Sequence, residues 1–153
     1  LEIKTTRDIA HQIVRHRSFS FQEFSQRYAD PEAQGDLFEY SEARLQDTKN
    51  RQNSITIDDQ KLQDEWKNRQ EEVALAAKYA YDWAIDQGIA KEQARKVLPE
   101  GLTKTTLYMN GTLRSWVHYI ELRSANGTQK EHMDIAKECA VVIAKIFPMA
   151  KDL

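Results

Sequence analysis

Apolar residues recur at helical spacing in several stretches of this chain and are sparse between them. Ile9, Ala10, Ile13 and Val14 form a first stripe, which predicts a helix starting at Thr5 or Thr6 and running to about Arg15. Asp8 follows Thr5 by three, the spacing of a capping box, and the helix presents Gln12, Arg15 and His16 together. Leu62, Trp66, Val73, Ala76, Ala80, Trp83 and Ala84 predict a long packing helix from about Gln60 to Gln87, stopped by Gly88. A short helix is expected over Lys91–Val97, ended by Pro99 and Gly101, and another over Leu113–Arg123, with Leu113, Trp116, Val117 and Ile120 inward. The last helix runs from about Thr128 to Phe147 on the stripe Ile135, Cys139, Val142, Ile143 and Ile146.

Two segments fall outside the helices, the first reading as strand and the second as loop or strand. Leu1 to Thr6 alternates like a strand and carries no initiator Met, so the sequence is expected to start inside a longer protein. Ser18 to Tyr28 is rich in serine and aromatics, and in extended conformation Glu23, Ser25 and Arg27 share one face. Residues 29–59 are polar, contain Pro31 and Gly35, and hold no sustained period, so they form a surface excursion. The pattern as a whole gives helices with strand-like segments near residues 1–6 and 18–28.

Composition narrows this picture. With 153 residues, 41% of them hydrophobic, the chain suffices for one compact domain over residues 1–153. The 22 basic residues nearly balance the 24 acidic ones, so no global charge favours nucleic acid or an anionic membrane, and any anion site is local. Cys139 is the one cysteine, cannot form an intrachain disulfide, and sits on an apolar stripe as a small core residue. No targeting or membrane-spanning run is visible, and a reducing, cytoplasmic setting is the expectation. His11, His16, His118 and His132 lack the companion spacing of a zinc site, and no metal is expected.

Positive charge concentrates in one place. Between Arg7 and Arg27 stand Arg15, Arg17, His11 and His16 as well, against only Asp8 and Glu23. Arginine's planar fork suits phosphate oxygens, so the segment suggests a phosphate-bearing ligand. A solvated basic turn is the plainer reading. A third is a non-catalytic helical module for nucleotides or single-stranded nucleic acid, using Arg15, Arg17 and Arg27 with Phe19, Phe21 and Tyr28 stacked on bases.

The wording of the segment goes further. Arg15-His16-Arg17, seven intervening residues and Ser25 resemble the signature of the flavin-dependent thymidylate synthases. The resemblance continues in Ala94-Arg95-Lys96-Val97-Leu98-Pro99, Leu113-Arg114-Ser115-Trp116-Val117-His118-Tyr119, Glu121-Leu122-Arg123 and Thr128-Gln129-Lys130-Glu131. It implies an α+β fold, helix-rich with a small antiparallel sheet, in which Gln12, Arg15, Glu23, Ser25, Gln26, Arg27, Arg95 and Arg123 surround dUMP. It likewise implies that Arg15, His16, Arg17, Glu23, Thr112, Leu113, Arg114 and His118 hold FAD. Methylenetetrahydrofolate and NADPH are the implied co-substrates, and a substantial N-terminal segment is implied ahead of this sequence. Ser25 is expected to hold the nucleotide phosphate. Arg123 is the implied catalytic cation, stabilising negative charge on the N3–C2=O side of uracil. A non-flavin synthase needs a cysteine nucleophile, a role that Cys139 does not suit.

Spacing adds two points. Arg114 and His118 are i and i+4 and lie on one helix face. Arg114 and Arg123, nine residues apart on the same helix, fall on nearly opposite faces at about 100° per residue. One chain therefore can hardly use both in one pocket. The homotetramer with shared sites that the resemblance implies fits this.

Overall fold

A computed structural model describes residues 1–29 and 35–148. The elements in order are β1 (Glu2–Thr6), α1 (Arg7–Ile13), β2 (Phe19–Glu23), β3 (Arg44–Gln46), β4 (Ser54–Thr56), α2 (Gln60–Asp86) and α3 (Lys91–Ala94). A 3-10 turn (Arg95–Val97), β5 (Lys104–Gly111), α4 (Leu113–Ser124) and α5 (Lys130–Ala144) complete the chain.

The sheet is three-stranded and antiparallel in the order β1-β5-β2, with Ile3 opposite Leu107 and Phe21 opposite Met109. Its central strand is the one element of the sheet absent from the sequence reading, although Thr105, Leu107 and Met109 alternate as a half-buried strand should. Those residues turn inward with Ile3, Phe19 and Phe21 against α1, α4 and α5, where Ile9, Ile13, Trp116, Tyr119, Ile120, Ala136, Cys139 and Ile143 complete the main core. Gly111 faces the Phe19 ring so closely that an added Cβ would lie 2.5 Å from its Cδ1. No bulkier residue fits there without moving the ring.

Several sequence expectations need correction. Thr6 is the N-cap of α1, but its hydroxyl donates to Asp8 Oδ1 at 2.6 Å and makes no backbone cap. β2 stops at Glu23 and the backbone turns through 26–28, so Glu23, Ser25 and Arg27 do not share a strand face. On α5, Cys139 and Ile143 are buried, whereas Val142 and Ile146 are exposed and the helix ends at Ala144. On α4, Tyr119 belongs to the inward face and Leu113 does not.

The largest correction concerns α2. Its buried residues are Gln70, Ala74, Ala77, Tyr81 and Ala84, while Leu62, Trp66, Val73 and Trp83 of the expected stripe are exposed. Small side chains and two amides let the excursion approach. Gln70 pairs with the N–H and C=O of Ser41 at 2.9 Å each, and Gln63 does the same with Ala43 at 2.7 and 2.9 Å. Side-chain amides thus continue a backbone-like ladder onto a helix, satisfying groups that burial would otherwise leave unpaired.

Residues 30–34 of the excursion, Pro31 included, lie outside the described residues. Its remainder is not wholly superficial: Leu37 is buried with Tyr81, Ala84, Ala94 and Leu98 in a second core. β3 and β4 pair as a small hairpin, which Arg44 fastens to Glu131 on α5. Among the described residues no helix is long and apolar enough to cross a membrane.

Candidate functional site

The basic segment between α1 and β2 does not stand free. Its centre, His16, accepts a hydrogen bond at Nε2 from Arg123 Nε at 2.8 Å, joining the end of α1 to the end of α4. An acceptor at Nε2 fixes the proton on Nδ1 and requires a neutral ring. Burial of the ring, then the positive charges of Arg123 and His118, hold the His16 pKa below the usual histidine value. Arg123 is thereby oriented through its Nε, leaving its terminal nitrogens without a partner among the described residues.

Beneath this pair lies a polar chain that sequence reasoning missed. His16 meets the Tyr119 ring edge-on at a centroid distance of 4.9 Å. The Tyr119 hydroxyl lies 3.1 Å from His132 Nε2, His132 Nδ1 lies 3.4 Å from Gln12 Oε1, and Gln12 Nε2 donates to Gln129 Oε1 at 2.7 Å. Tyr119 and His132 are fully buried. A histidine on an otherwise apolar helix face was the available sequence signal, since His132 precedes Ala136, Cys139 and Ile143 at helical spacing.

Glu23 sits at the far end of β2, where Arg7 Nη1 approaches it at 3.2 Å and Thr105 Oγ1 donates to it at 2.9 Å. Ser25 follows it on the rim of an open groove of about 660 Å³ lined also by Glu2, Lys4, Gln22, Phe24, Thr106 and Tyr108. Gln26 is buried, and its Nε2 has no partner among the described residues. Arg27 lies over the Tyr28 ring and reaches Glu92 on α3 at 3.4 Å. That ion pair draws the turn toward the short helical segment that carries Arg95.

The remaining expected contacts gather at the start of α4. Thr112 is the N-cap, its Oγ1 accepting from the Ser115 N–H at 3.2 Å, and the Ser115 hydroxyl donates to the Ser18 carbonyl at 3.3 Å. This bond sets Thr112, Leu113 and Arg114 beside the loop that carries Arg15 and Arg17. Arg15, Arg17, Arg114 and His118 are exposed, and none of them is in an ion pair among the described residues. Arg114 and Arg123 share one unbroken helix, so they stand about 13 Å apart along its axis and on nearly opposite faces.

Three alternatives lose ground on this geometry. A nucleophilic Ser25 would need a base, yet it makes no hydrogen bond to a histidine among the described residues, and His16 is engaged by Arg123. Stacking on bases is closed to Phe19, which is buried against Trp116 and Tyr119, and Phe21 is half-buried against Phe19. Cys139 is buried in the core and its thiol is pushed up to about 12, chiefly by burial, so it is not a thiolate nucleophile.

Comparison with known proteins agrees with the motifs. The family model described as thymidylate synthase complementing protein matches residues 1–149. A probable flavin-dependent thymidylate synthase of Paramecium bursaria Chlorella virus 1 is 50% identical over 97% of this chain and 67% of its own length. The flavin-dependent thymidylate synthase of a Synechocystis strain is 48% identical over 97% of this chain and 66% of its own. Among solved structures, the UMP/dUMP methylase PolB from Streptomyces cacaoi bound with 5-Br dUMP shares the fold, with a TM-score of 0.80 at 24% identity over 94% of this chain and 65% of that one. The chain spans about two thirds of the length of these relatives. The motifs, the family match and the identity together place it: the chain belongs to the thymidylate synthase complementing protein family, that of the flavin-dependent thymidylate synthases.

Proposed function

We propose that this chain provides the larger part of an enzyme that reductively methylates dUMP to dTMP, taking the carbon from methylenetetrahydrofolate and reducing equivalents from NADPH. The observation that carries the reading is the His16–Arg123 pair, because it joins the two most specific motifs at one point and orients a cation. Adding a carbon at C5 of uracil requires electron density in the ring. A fixed guanidinium near N3 and the C2 carbonyl stabilises the charge that develops there. A neutral His16 serves Arg123 as an acceptor and does not compete as a second cation.

The nucleotide phosphate falls to Ser25, Gln26 and Arg27, with Arg95. The buried Nε2 of Gln26 supplies a donor that an anionic oxygen satisfies. Phosphate takes Arg27 from Glu92, an exchange that costs little because the pair is half exposed. Gln12, Arg15 and Glu23 complete the nucleotide contacts.

The donors at the start of α4 and in the preceding loop fit FAD. Exposed Arg15, Arg17, Arg114 and His118, none in an ion pair among the described residues, suit an anionic diphosphate, with His16, Glu23, Thr112 and Leu113 beside them. FAD when bound supplies the redox chemistry that amino acids lack.

Assembly follows from α4. The opposed placement of Arg114 and Arg123 favours sites built between chains, and the exposed apolar row on α2 offers a surface for such contacts. We take the protein to be a homotetramer in the cytoplasm, with no membrane, nucleic-acid or metal requirement.

The test uses the complete protein. Oxidised-flavin absorbance, dTMP formation and dUMP binding that weakens about tenfold or more in Arg27→Ala are expected. A colourless protein, or calorimetry showing equal dUMP affinity in Arg27→Ala, overturns the reading.

A further inference from the structure

Gln12 stands on α1 between two anchors. Its amide nitrogen is held by Gln129 Oε1 at 2.7 Å, which leaves its carbonyl facing His132 Nδ1 at 3.4 Å. An acceptor in front of Nδ1 demands that Nδ1 carry the proton, so Nε2 presents a lone pair. The partner at Nε2 is the Tyr119 hydroxyl at 3.1 Å, which then donates. The bonds run in one direction, from Tyr119 through His132 and Gln12 to Gln129. Every member has a consistent role, as a buried polar chain requires.

His132 itself is fully buried, at the turn of α5 where that helix meets α1 and α4. Its protonated form is suppressed by burial first and then by Arg123 and His16, which bring the pKa to about 4. At neutral pH it is a neutral relay with both nitrogens engaged. The Tyr119 ring that it grips is also the surface against which His16 leans, and the His16 and His132 rings are 6.2 Å apart.

We infer that His132 is a positioning residue for the nucleotide site: through its Nδ1–H it sets the direction of the Gln12 amide, and through Nε2 it fixes Tyr119 beneath the His16–Arg123 pair. This rests on the assignment of Gln12 as a dUMP contact. His132 touches no substrate and acts through two neighbours. An apolar residue would fill the same core volume, so a polar histidine at this depth is explained by the direction it imposes on Gln12.

The two nitrogens can be tested separately. In His132→Asn an amide nitrogen takes the place of Nδ1, while in His132→Gln the side-chain amide reaches the place of Nε2 and leaves the Gln12 carbonyl without its donor, with Gln129 alone holding the amide. In the complete enzyme, His132→Gln is expected to raise the dUMP Kd and KM about tenfold with kcat changed less than twofold, and His132→Asn, which keeps the donor to Gln12 and loses the hold on Tyr119, to keep the dUMP Kd within threefold of wild type with the larger effect on kcat. Equal affinities in wild type, His132→Asn and His132→Gln, or equal losses in both variants, overturn the proposal. Should a variant fail to fold, 15N histidine spectra of the wild type decide: a neutral Nδ1–H tautomer at His132 supports the arrangement, and an Nε2–H tautomer refutes it. Wild-type protein that binds no dUMP refutes the synthase reading instead, and the tautomer still reports on His132.

Discussion

At the scale of single residues, burial of one histidine couples the site to solution pH. The unfolded chain binds a proton at His132 near pH 6.5, whereas the folded chain refuses it until about pH 4. Stability is therefore undiminished above pH 6.5 and falls as pH drops through that window. At about 1.4 kcal/mol per pH unit, the loss reaches roughly 3 kcal/mol at pH 4, and His16 adds to it in the same direction. Urea unfolding of wild type and His132→Gln at pH 7 and pH 4.5 measures this; the variant should lose distinctly less stability on acidification, and parallel losses would exclude His132 as the source. Gly111 makes a second prediction at this scale. Gly111→Ala drives a methyl into the Phe19 ring, so a destabilisation of about 1–3 kcal/mol is expected by thermal unfolding, and an unchanged Tm would show that the ring yields freely.

Among the elements, periodicity located helices more reliably than it identified what they pack against. α1, α2 and α4 lie within a few residues of their expected bounds because each carries a repeated apolar spacing. α2 carries two stripes side by side, however, and the bulky one was mistaken for the intrachain contact. The stripe that packs is made of Ala74, Ala77, Tyr81 and Ala84 with the amide of Gln70, residues that hydropathy ranks low. β5 was missed for a related reason: two of its four buried residues are threonines, Thr105 and Thr106, and neither of its partners is adjacent in sequence. Candidate site residues could be named where a motif carries them. Tyr119, His132, Arg7 and Thr105 could not, because their parts depend on contacts across the fold. The exposed stripe gives its own expectation. Trp66→Glu with Trp83→Glu should leave the helical content intact while shifting the complete protein to smaller species by analytical ultracentrifugation; an unchanged sedimentation coefficient would remove α2 from the subunit contact.

For the molecule as a whole, α4 decides how sites are composed. His16, Gln12 and Arg123 come from one chain and are half-buried in it, while Arg114 and His118 are exposed on the same helix as Arg123. If the outward residues serve a neighbour's nucleotide, mixtures of Arg114→Ala and Arg123→Ala chains refolded together should regain part of the activity that each lacks alone. No recovery in verified mixed oligomers would assign each site to a single chain. The sheet order β1-β5-β2 carries a different consequence, for synthesis. β1 and β2 leave the ribosome well before Lys104–Gly111, the strand with which both pair among the described residues. Such distant pairing closes a long loop and slows folding relative to local helix formation. During translation Ile3, Phe19 and Phe21 wait without Leu107 and Met109 while α2 can already coil, which makes the nascent chain that ends short of β5 a form in need of a chaperone.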